Sequence, residues 1–197
     1  MRRVRAFAPA TVGNVAVGFD ILGFSIDGAG DEIELEKTKK AGIEIVEITV
    51  LDCAKNIDCG GLPRDPSRNA ATVGLIQLLK NMNCDYGFAV RIRKGIAVGS
   101  GMGGSAASAV AALVAASPFL ALPLSKDSII EYALLGEAVV SGAKHADNIS
   151  PCVYGGMTLT KSSDPVDVVA IPVPPFAFAA IVHPHLRVDT FNARKIL

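Results

Sequence analysis

The sequence lacks an excess of charge of either sign: 19 basic and 19 acidic residues give a formal net charge of zero at pH 7. Binding to nucleic acid through its phosphates needs a surplus of lysine and arginine, because that binding depends on counterion release. Arg2, Arg3 and Arg5 cluster at the start, but such a cluster before a strand is typical of a solvated sheet edge. We therefore expect a small-molecule partner and no nucleic acid.

Cysteine is also scarce, with four residues and no C-x-x-C spacing. This excludes a patterned zinc site and a disulfide scaffold, and we expect Cys53 and Cys59 to be ordinary thiols in a reducing cytoplasm. No signal peptide is expected, because the N-terminal segment is broken by proline and glycine; a plastid location is the alternative if a transit peptide has been removed. The uncharged stretch 95–125 contains five glycines and two prolines, so we expect no membrane span.

Alternating and apolar segments predict seven strands, and a long irregular stretch over 9–27 separates the first two. The predicted strands are residues 3–8, 31–37, 43–50, 88–92, 153–160, 166–171 and 176–182. Half of the residues are apolar, which is enough for a sizeable core.

Helical spacing of apolar residues predicts a helix over 68–81 capped by Ser67, an alanine-rich helix over 105–117, and a helix from the Ser125 cap to about Ser141, ended by Gly142. The elements alternate without the even spacing of a doubly wound sheet, so we predict an α+β fold. A further helix begins at Thr190 without a C-cap before Leu197, which predicts that the chain is truncated.

The most informative segment is the glycine loop, residues 99–104, in which four of six residues are glycine. Such a loop can turn its backbone amides towards an anion, and the following helix adds its electropositive N-terminus. Ser105 and Ser108 fall in the first turn of that helix, where hydroxyl groups could bind phosphate or phosphate-bound magnesium. No Walker lysine follows. A dinucleotide fingerprint, G-x-G-x-x-G, and a purely structural turn stay open on this pattern.

A second polar set occupies an otherwise apolar helix. Glu137, Ser141, His145 and Asn148 would share one face if helical geometry continued that far, so the pattern fits either a polar site or a solvated face. Glu137 is the candidate metal ligand. Asp147 could be a general base or could cap a loop by accepting from backbone amides.

Three separated motifs give the chain a family resemblance. They are residues 8–23 (APATVGNVAVGFDILG), the glycine loop with its serines to Ser108, and Glu137 followed by residues 145–151 (HADNISP). Together they resemble the galactokinase, homoserine kinase, mevalonate kinase and phosphomevalonate kinase (GHMP) superfamily, and within it the homoserine kinases most closely.

The resemblance implies a GHMP kinase N-terminal domain of the ribosomal protein S5 domain 2 type over residues 1–160. Residues 161–197 would begin a ferredoxin-like C-terminal domain that is mostly missing. It implies ATP and Mg²⁺ as cofactors, transfer of a phosphoryl group to L-homoserine in threonine biosynthesis, no nucleic-acid or membrane partner, and it leaves a homodimer open. The activity of the truncated chain, a non-catalytic nucleotide-binding role, and another small alcohol such as mevalonate remain alternatives.

The resemblance also assigns roles to individual residues. Glu137, Asn148 and Ser105 would be catalytic, with Ser105 and Glu137 holding the metal. The substrate would contact Asn14, Asp20, His145, Asn148, Thr190 and Arg194. The nucleotide would contact Asn69, Lys94, Gly99, Ser100, Gly101, Met102, Gly103, Gly104, Ser105 and Ser108. Asn148 stands where some relatives have an aspartate base, so we expect catalysis by positioning, with Asp147 not acting as the base.

Overall fold

The computed structural model describes residues 2–54 and 61–182. In chain order its elements are β1 (Arg3–Val12), β2 (Leu22–Thr38), β3 (Gly42–Val50), a short 3₁₀ turn (Asp52–Ala54), α1 (Ala70–Asn81), β4 (Gly87–Lys94), α2 (Gly104–Ala116), a second 3₁₀ turn (Ser117–Phe119), α3 (Lys126–Ser141), α4 (Ile149–Tyr154), β5 (Met157–Ser163) and β6 (Val166–Ile171).

The strands of the described residues form one mixed sheet. Its hydrogen-bonded path is β3-β4-β2-β5-β6, with β1 pairing on β2. β3 and β4 are parallel, and every other pair is antiparallel. The mixture of a sheet and packed helices confirms the predicted α+β class.

The core lies between one face of the sheet and the helices. Alternation along the strands buries Ile33 and Leu35 of β2 and Val90 of β4 completely. Helix α2 packs against β1 and β2 with α1 and α3 beside it, and its alanines allow this close approach because they carry only a methyl group. Gly74 has a similar role where α1 crosses α3, since a Cβ there would lie 2.5 Å from the carbonyl oxygen of Tyr132.

The opposite face of the sheet carries an arginine–glutamate ladder, in which arginines of β1 and β4 flank the glutamates of the central strand β2. Its ion pairs include Arg3–Glu36 at 2.7 Å, Arg5–Glu34 at 2.9 Å, Arg91–Glu36 at 3.2 Å and Arg93–Glu32 at 3.1 Å. The N-terminal arginines are therefore a sheet surface, as their solvated-edge interpretation predicted. Hydrogen bonds from Arg5 and Arg3 lower the pKa of Glu34 and of Glu36 because they favour the charged form.

Several predicted boundaries are wrong. The irregular stretch is only residues 13–21, because β1 continues through Pro9 to Val12; Pro9 is tolerated there since β1 pairs on one side only. Residues 149–154 form α4, which ends at the left-handed Gly155 (φ 75°), so the strand predicted from residue 153 begins at Met157. Residues 176–182 contain no strand, in a segment that follows three closely spaced prolines.

Helix starts and ends follow local hydrogen bonds. Ser67 does not cap α1: the cap is Asn69, whose side chain accepts from Ala71 N at 3.0 Å, while Ser67 itself bonds Asp65. The prediction for α3 is confirmed at both ends, with Ser125 accepting from Ser128 N and Gly142 in the left-handed conformation.

The predicted domain boundary at residue 160 falls inside β5, and β6 continues the same sheet beyond it; the division itself stays a prediction. The helix predicted from Thr190, together with Thr190 and Arg194, lies outside the described residues. In residues 2–54 and 61–182 no helix is both long and apolar enough to cross a lipid bilayer.

Candidate active site

The glycine loop, α1, α3 and the loop before α4 surround a cavity of about 630 Å³. This volume is in the usual range for a small-molecule site. Its lining contains most of the predicted site residues, namely Asn14, Asn69, Lys94, Gly99, Ser100, Gly101, Gly103, Gly104, Ser105, Ser108, Glu137, His145 and Asn148. Asp147 lines the cavity as well. Met102 packs against the core beneath them. Residues separated in sequence are thus brought together at one place.

The glycine loop has the geometry of an anion nest. Gly99, Gly101 and Gly103 have φ angles of 73°, 73° and 66°, a left-handed conformation that residues with a side chain adopt at a cost. Their backbone N–H groups donate to no group within the described parts of the chain. Gly103 caps α2 without a side-chain hydrogen bond, so the first-turn amides of that helix are left for a ligand, where the helix terminus carries roughly half a positive charge.

Beneath the loop lies a buried polar cluster centred on Asp31. The carboxylate pairs with the Lys94 ammonium and accepts from Ser108 Oγ at 2.6 Å, from Gly95 N at 3.0 Å and from Ile96 N at 3.2 Å. These donors replace the water that the buried carboxylate has lost. The cluster therefore holds the end of β4 and the start of the glycine loop in place.

Lys94 and Ser108 belong to this supporting cluster. Lys94 Nζ also donates to the Gly104 carbonyl oxygen at 3.1 Å and to Ser108 Oγ at 3.0 Å. Their predicted contacts with a nucleotide stay predictions, and their described polar contacts are with the protein. Asn69 is similar, since its side chain caps α1 and donates to the Pro63 carbonyl oxygen at 2.8 Å.

Asp31 was not among the predicted site residues, although the pattern contained a signal for it. In β2 the alternation places residue 31 on the same face as the buried Ile33 and Leu35, and in β4 it places Lys94 on the face of Val90 and Ile92. Two opposite charges on the core faces of neighbouring strands predict a buried ion pair.

Ser105 and Glu137 come together at the phosphate end of the cavity. Ser105 Oγ, at the start of α2, donates to Glu137 Oε2 of α3 at 2.8 Å. No group of three or more histidine, cysteine, aspartate or glutamate side chains that could hold a metal occurs within residues 2–54 and 61–182. A hydroxyl and one carboxylate suit Mg²⁺, which prefers oxygen ligands and keeps waters and phosphate oxygens in its remaining positions.

Asn14, from the loop between β1 and β2, lines the other end of the cavity, whereas Asp20 of the same loop is not in the lining. Asn14 and Asp20 have left-handed backbones, with φ of 55° and 63°, and Asn14 Oδ1 accepts from Asp20 N at 3.0 Å. His145 Nδ1 lies 3.4 Å from Asp20 Oδ2. The predicted substrate residues Asn14, Asp20 and His145 are therefore neighbours.

Asp147 lines the same end of the cavity as Asn14 and bonds the Asn14 backbone. Its Oδ2 accepts from Asn14 N at 3.1 Å and from Asn148 Nδ2 at 3.3 Å. Burial and the nearby Asp20 carboxylate raise the pKa of Asp147, partly offset by the Asn14 N–H. Asp147 therefore accepts the backbone hydrogen bond that the loop-capping interpretation predicted.

The predicted helical stripe is wrong in its geometry. Helix α3 ends at Ser141, and residues 142–148 form a loop before α4, because Gly142 turns the chain in the left-handed conformation. Glu137, His145 and Asn148 nevertheless line the same cavity, reached from a helix and a loop instead of from one helical face.

Comparison with known proteins agrees with this geometry. The family model described as the GHMP kinases N terminal domain matches residues 70–156. The chain is 38% identical to a homoserine kinase of Chloroherpeton thalassium and 43% identical to one of Xanthomonas campestris pv. campestris; all of this chain aligns, with 63% and 58% of those proteins.

A solved structure shares the fold as well as the sequence. The crystal structure of homoserine kinase from Cytophaga hutchinsonii superimposes with a TM-score of 0.89 at 40% identity, over 100% of this chain and 60% of that one. The present chain therefore spans about three fifths of the length of the relatives it matches.

Proposed function

Since this chain carries the N-terminal domain of the GHMP kinases and is homologous over its whole length to homoserine kinases, we propose that it phosphorylates L-homoserine. The γ-phosphoryl group of ATP would pass to the side-chain hydroxyl, giving O-phospho-L-homoserine on the route to threonine. The observation that carries the proposal is that a nest for phosphate and a polar pocket for a small substrate open into one cavity.

The phosphate end supplies the electrostatics of the reaction. Phosphoryl transfer needs alignment and charge neutralisation more than covalent help from the protein. The amides of Gly99, Gly101 and Gly103 and the N-terminus of α2 would surround the phosphates, because all of them are free to donate. These fixed dipoles need no reorganisation as charge develops.

Ser105 and Glu137 would hold Mg²⁺. Their oxygens already meet at 2.8 Å, at the point where the glycine loop becomes α2. When bound, the ion would neutralise charge on the phosphate oxygens. Glu137, on α3, would thus tie its helix to the nucleotide.

The substrate end supplies groups for an amino acid. Asp20 would attract the ammonium of homoserine, while Asn14 and His145 would accept from or donate to its polar groups. Arg194, outside the described residues, would pair with the carboxylate in the geometry that guanidinium groups favour.

The proposed reaction is an in-line displacement at the γ-phosphorus of ATP. The homoserine hydroxyl oxygen bonds to the γ-phosphorus as the bond from that phosphorus to the β–γ bridging oxygen breaks, ADP leaves, and the hydroxyl proton passes to a phosphate oxygen or to water. Asn148 would orient the reacting groups, since an amide is not a proton acceptor at neutral pH.

A phosphoryl-transfer assay tests the proposal. The 197-residue chain is incubated with γ-labelled ATP, Mg²⁺ and either homoserine, mevalonate or no acceptor. We expect label in O-phosphohomoserine only. Label in phosphomevalonate alone would assign a different alcohol, and ATP binding without transfer to any acceptor would indicate a non-catalytic chain. A thermal shift with NAD and none with ATP–Mg²⁺ would favour an oxidoreductase.

A further inference from the structure

A short chain of hydrogen bonds joins the end of β1 to the loop that carries Asn148. Thr11 Oγ1 donates to Asn148 Oδ1 at 2.8 Å, and Thr11 N donates to the Met102 carbonyl oxygen at 3.2 Å. Thr11 is completely buried, so its hydroxyl makes this contact without competition from water. One residue thus touches both the glycine loop and the candidate catalytic amide.

The neighbouring carboxylate settles which way the Asn148 amide faces. Asp147 Oδ2 accepts from Asn14 N and lies 3.3 Å from Asn148 Nδ2. An ionised carboxylate only accepts, so the amide must present its NH₂ group to Asp147 and its oxygen to Thr11. The carbonyl oxygen is then occupied by the Thr11 hydroxyl, while one N–H of Nδ2 makes no hydrogen bond within the described parts of the chain.

Packing leaves little room for another arrangement. A Cβ on Gly103 would lie 2.0 Å from Thr11 Oγ1 and 3.0 Å from Asn148 Oδ1, and a Cβ on Gly13 would lie 2.1 Å from Asp147 Oδ2. The glycine loop therefore rests directly on the Thr11–Asn148 contact. A shift of that contact would move the loop that is proposed to hold phosphate.

We propose that Thr11 is a positioning residue, whose hydroxyl fixes the Asn148 side-chain amide so that Asn148 serves the reaction as a hydrogen-bond donor. The inference rests on the proposed phosphoryl transfer for its effect on rate, whereas the fixed amide is a property of the folded chain alone. The Thr11 hydroxyl acts through Asn148 and need not touch the substrate, while the bond from Thr11 N to the glycine loop is a backbone contact that every side-chain variant keeps.

The test replaces the hydroxyl by a methyl group. In Thr11→Val we expect kcat to fall roughly ten- to a hundredfold with the KM for ATP within about threefold, because a misplaced group costs rate more than binding. Thr11→Ser keeps the donor and should restore most of kcat. In ¹⁵N-labelled chain, the Asn148 side-chain amide should exchange with water at least about tenfold faster in Thr11→Val than in wild type or Thr11→Ser.

Thr158→Val is the matched control, because Thr158 is equally buried and its Oγ1 has no hydrogen-bond partner in the described chain. It should leave kcat and the Asn148 amide unchanged. If Thr11→Val fails to fold, Thr11→Ala removes the same hydroxyl without adding a methyl group.

The two proposals fail separately. Wild-type chain without transfer to homoserine would contradict the proposed function, and the amide exchange rates would still decide the role of Thr11. Unchanged Asn148 exchange in folded Thr11→Val or Thr11→Ala would overturn the positioning role. So would an unchanged kcat in an active protein, or a loss that Thr11→Ser does not restore.

Discussion

Asp147 and Asn148 are adjacent in sequence, but their hydrogen bonds give them different functions. Asp147 accepts from the backbone of Asn14 and so holds the loop between β1 and β2. Asn148 Oδ1 accepts a hydrogen bond from the Thr11 hydroxyl, and Asn148 lines the cavity. A carboxylate committed to a backbone amide is a poor candidate for taking the substrate proton, because it would have to leave that contact.

Asp147→Asn tests this division at a single residue. An amide oxygen in place of Oδ2 can still accept from Asn14 N, so we expect kcat within about fivefold of wild type, against the hundredfold or greater loss typical for removal of a general base. Because burial raises the pKa of Asp147, its ionisation at neutral pH opposes folding, a cost that grows as pH rises from the unfolded towards the folded pKa.

The neutral asparagine should therefore raise the melting temperature at pH 7 and leave it little changed at acidic pH, where the aspartate is already protonated. Asp147→Ala is the control that removes the acceptor, and it should raise the KM for homoserine. A folded Asp147→Asn with at least hundredfold lower kcat would make Asp147 the base.

At the scale of elements, the glycine loop and helix α2 form one unit. Gly99, Gly101 and Gly103 have left-handed backbones, and their amides donate to no group in the described chain. Gly103 is the N-cap of α2, and Asp31 pairs with Lys94 beneath the loop. The proposed anion site would therefore be formed by backbone groups, with the Asp31–Lys94 pair supporting the backbone.

Gly103→Ala tests this unit. The new methyl group would lie 2.0 Å from Thr11 Oγ1, and the alanine backbone would have to adopt a φ of 66°. We therefore expect the affinity for ATP–Mg²⁺ to fall roughly tenfold or more, equivalent to about 1.4 kcal/mol. Gly28→Ala is the matched control, since Gly28 has φ of 85° with nothing within 4 Å of its Cβ position. It should lower the melting temperature without changing ATP affinity in calorimetric titration. Equal affinities for both variants would show that the loop tolerates displacement.

How far the sequence predicts these elements depends on whether the signal is local. Ser125 and Gly142 mark the ends of α3 because caps act within one turn. The glycine loop is equally local. The predicted start of β5 at residue 153 was wrong, because an apolar run fits a short buried helix equally well, and only the packing of α4 on β1, β2 and β5 decides between them.

The sequence pattern alone did not predict the contacts between residues far apart in the chain. Thr11 and Asn148 are 137 residues apart, and nothing in either neighbourhood indicates the other. The Asp31–Lys94 pair differs, because alternation places both charges on core faces, and register between adjacent strands then brings them together. The substrate roles of Asn14, Asp20, His145 and Asn148 were predicted from the family resemblance. Spacing had only placed His145 and Asn148 on a helix that in fact ends earlier.

For the whole molecule, the two faces of the sheet have different roles. One face packs the helices and supports the cavity, while the other carries the arginine–glutamate ladder. Because β1 and β4 carry arginines on this face and β2 carries glutamates, the charges favour β2 between the other two strands, whereas direct pairing of β1 with β4 would place like charges together.

The ladder predicts an acid-sensitive stability. Arg5 and Arg3 lower the pKa of Glu34 and Glu36 below the ordinary value of 4.5, so their contribution is complete above that value and is lost as pH falls below it through the folded pKa. Glu34→Gln should lower the melting temperature at pH 7 by no more than about 4 °C, since ion pairs whose arginine is in contact with water contribute little. The melting temperature of Glu34→Gln should also fall less between pH 5 and pH 3 than that of the wild type.

Glu44→Gln is the control, because Glu44 is exposed on β3 and forms no ion pair within the described chain. It should follow the wild-type pH curve. An identical curve for Glu34→Gln would mean that the ladder does not contribute to acid sensitivity.

The central claim is that the inward amides of the glycine loop bind the phosphates of ATP, and amide NMR of the ¹⁵N-labelled chain tests it most directly. On titration with ATP–Mg²⁺, the resonances of Gly99, Gly101 and Gly103 should move most and saturate together, and NAD should leave them in place. If saturating ATP–Mg²⁺ left these three amides unmoved, or if NAD moved them instead, the phosphate cradle and the kinase function derived from it would be contradicted.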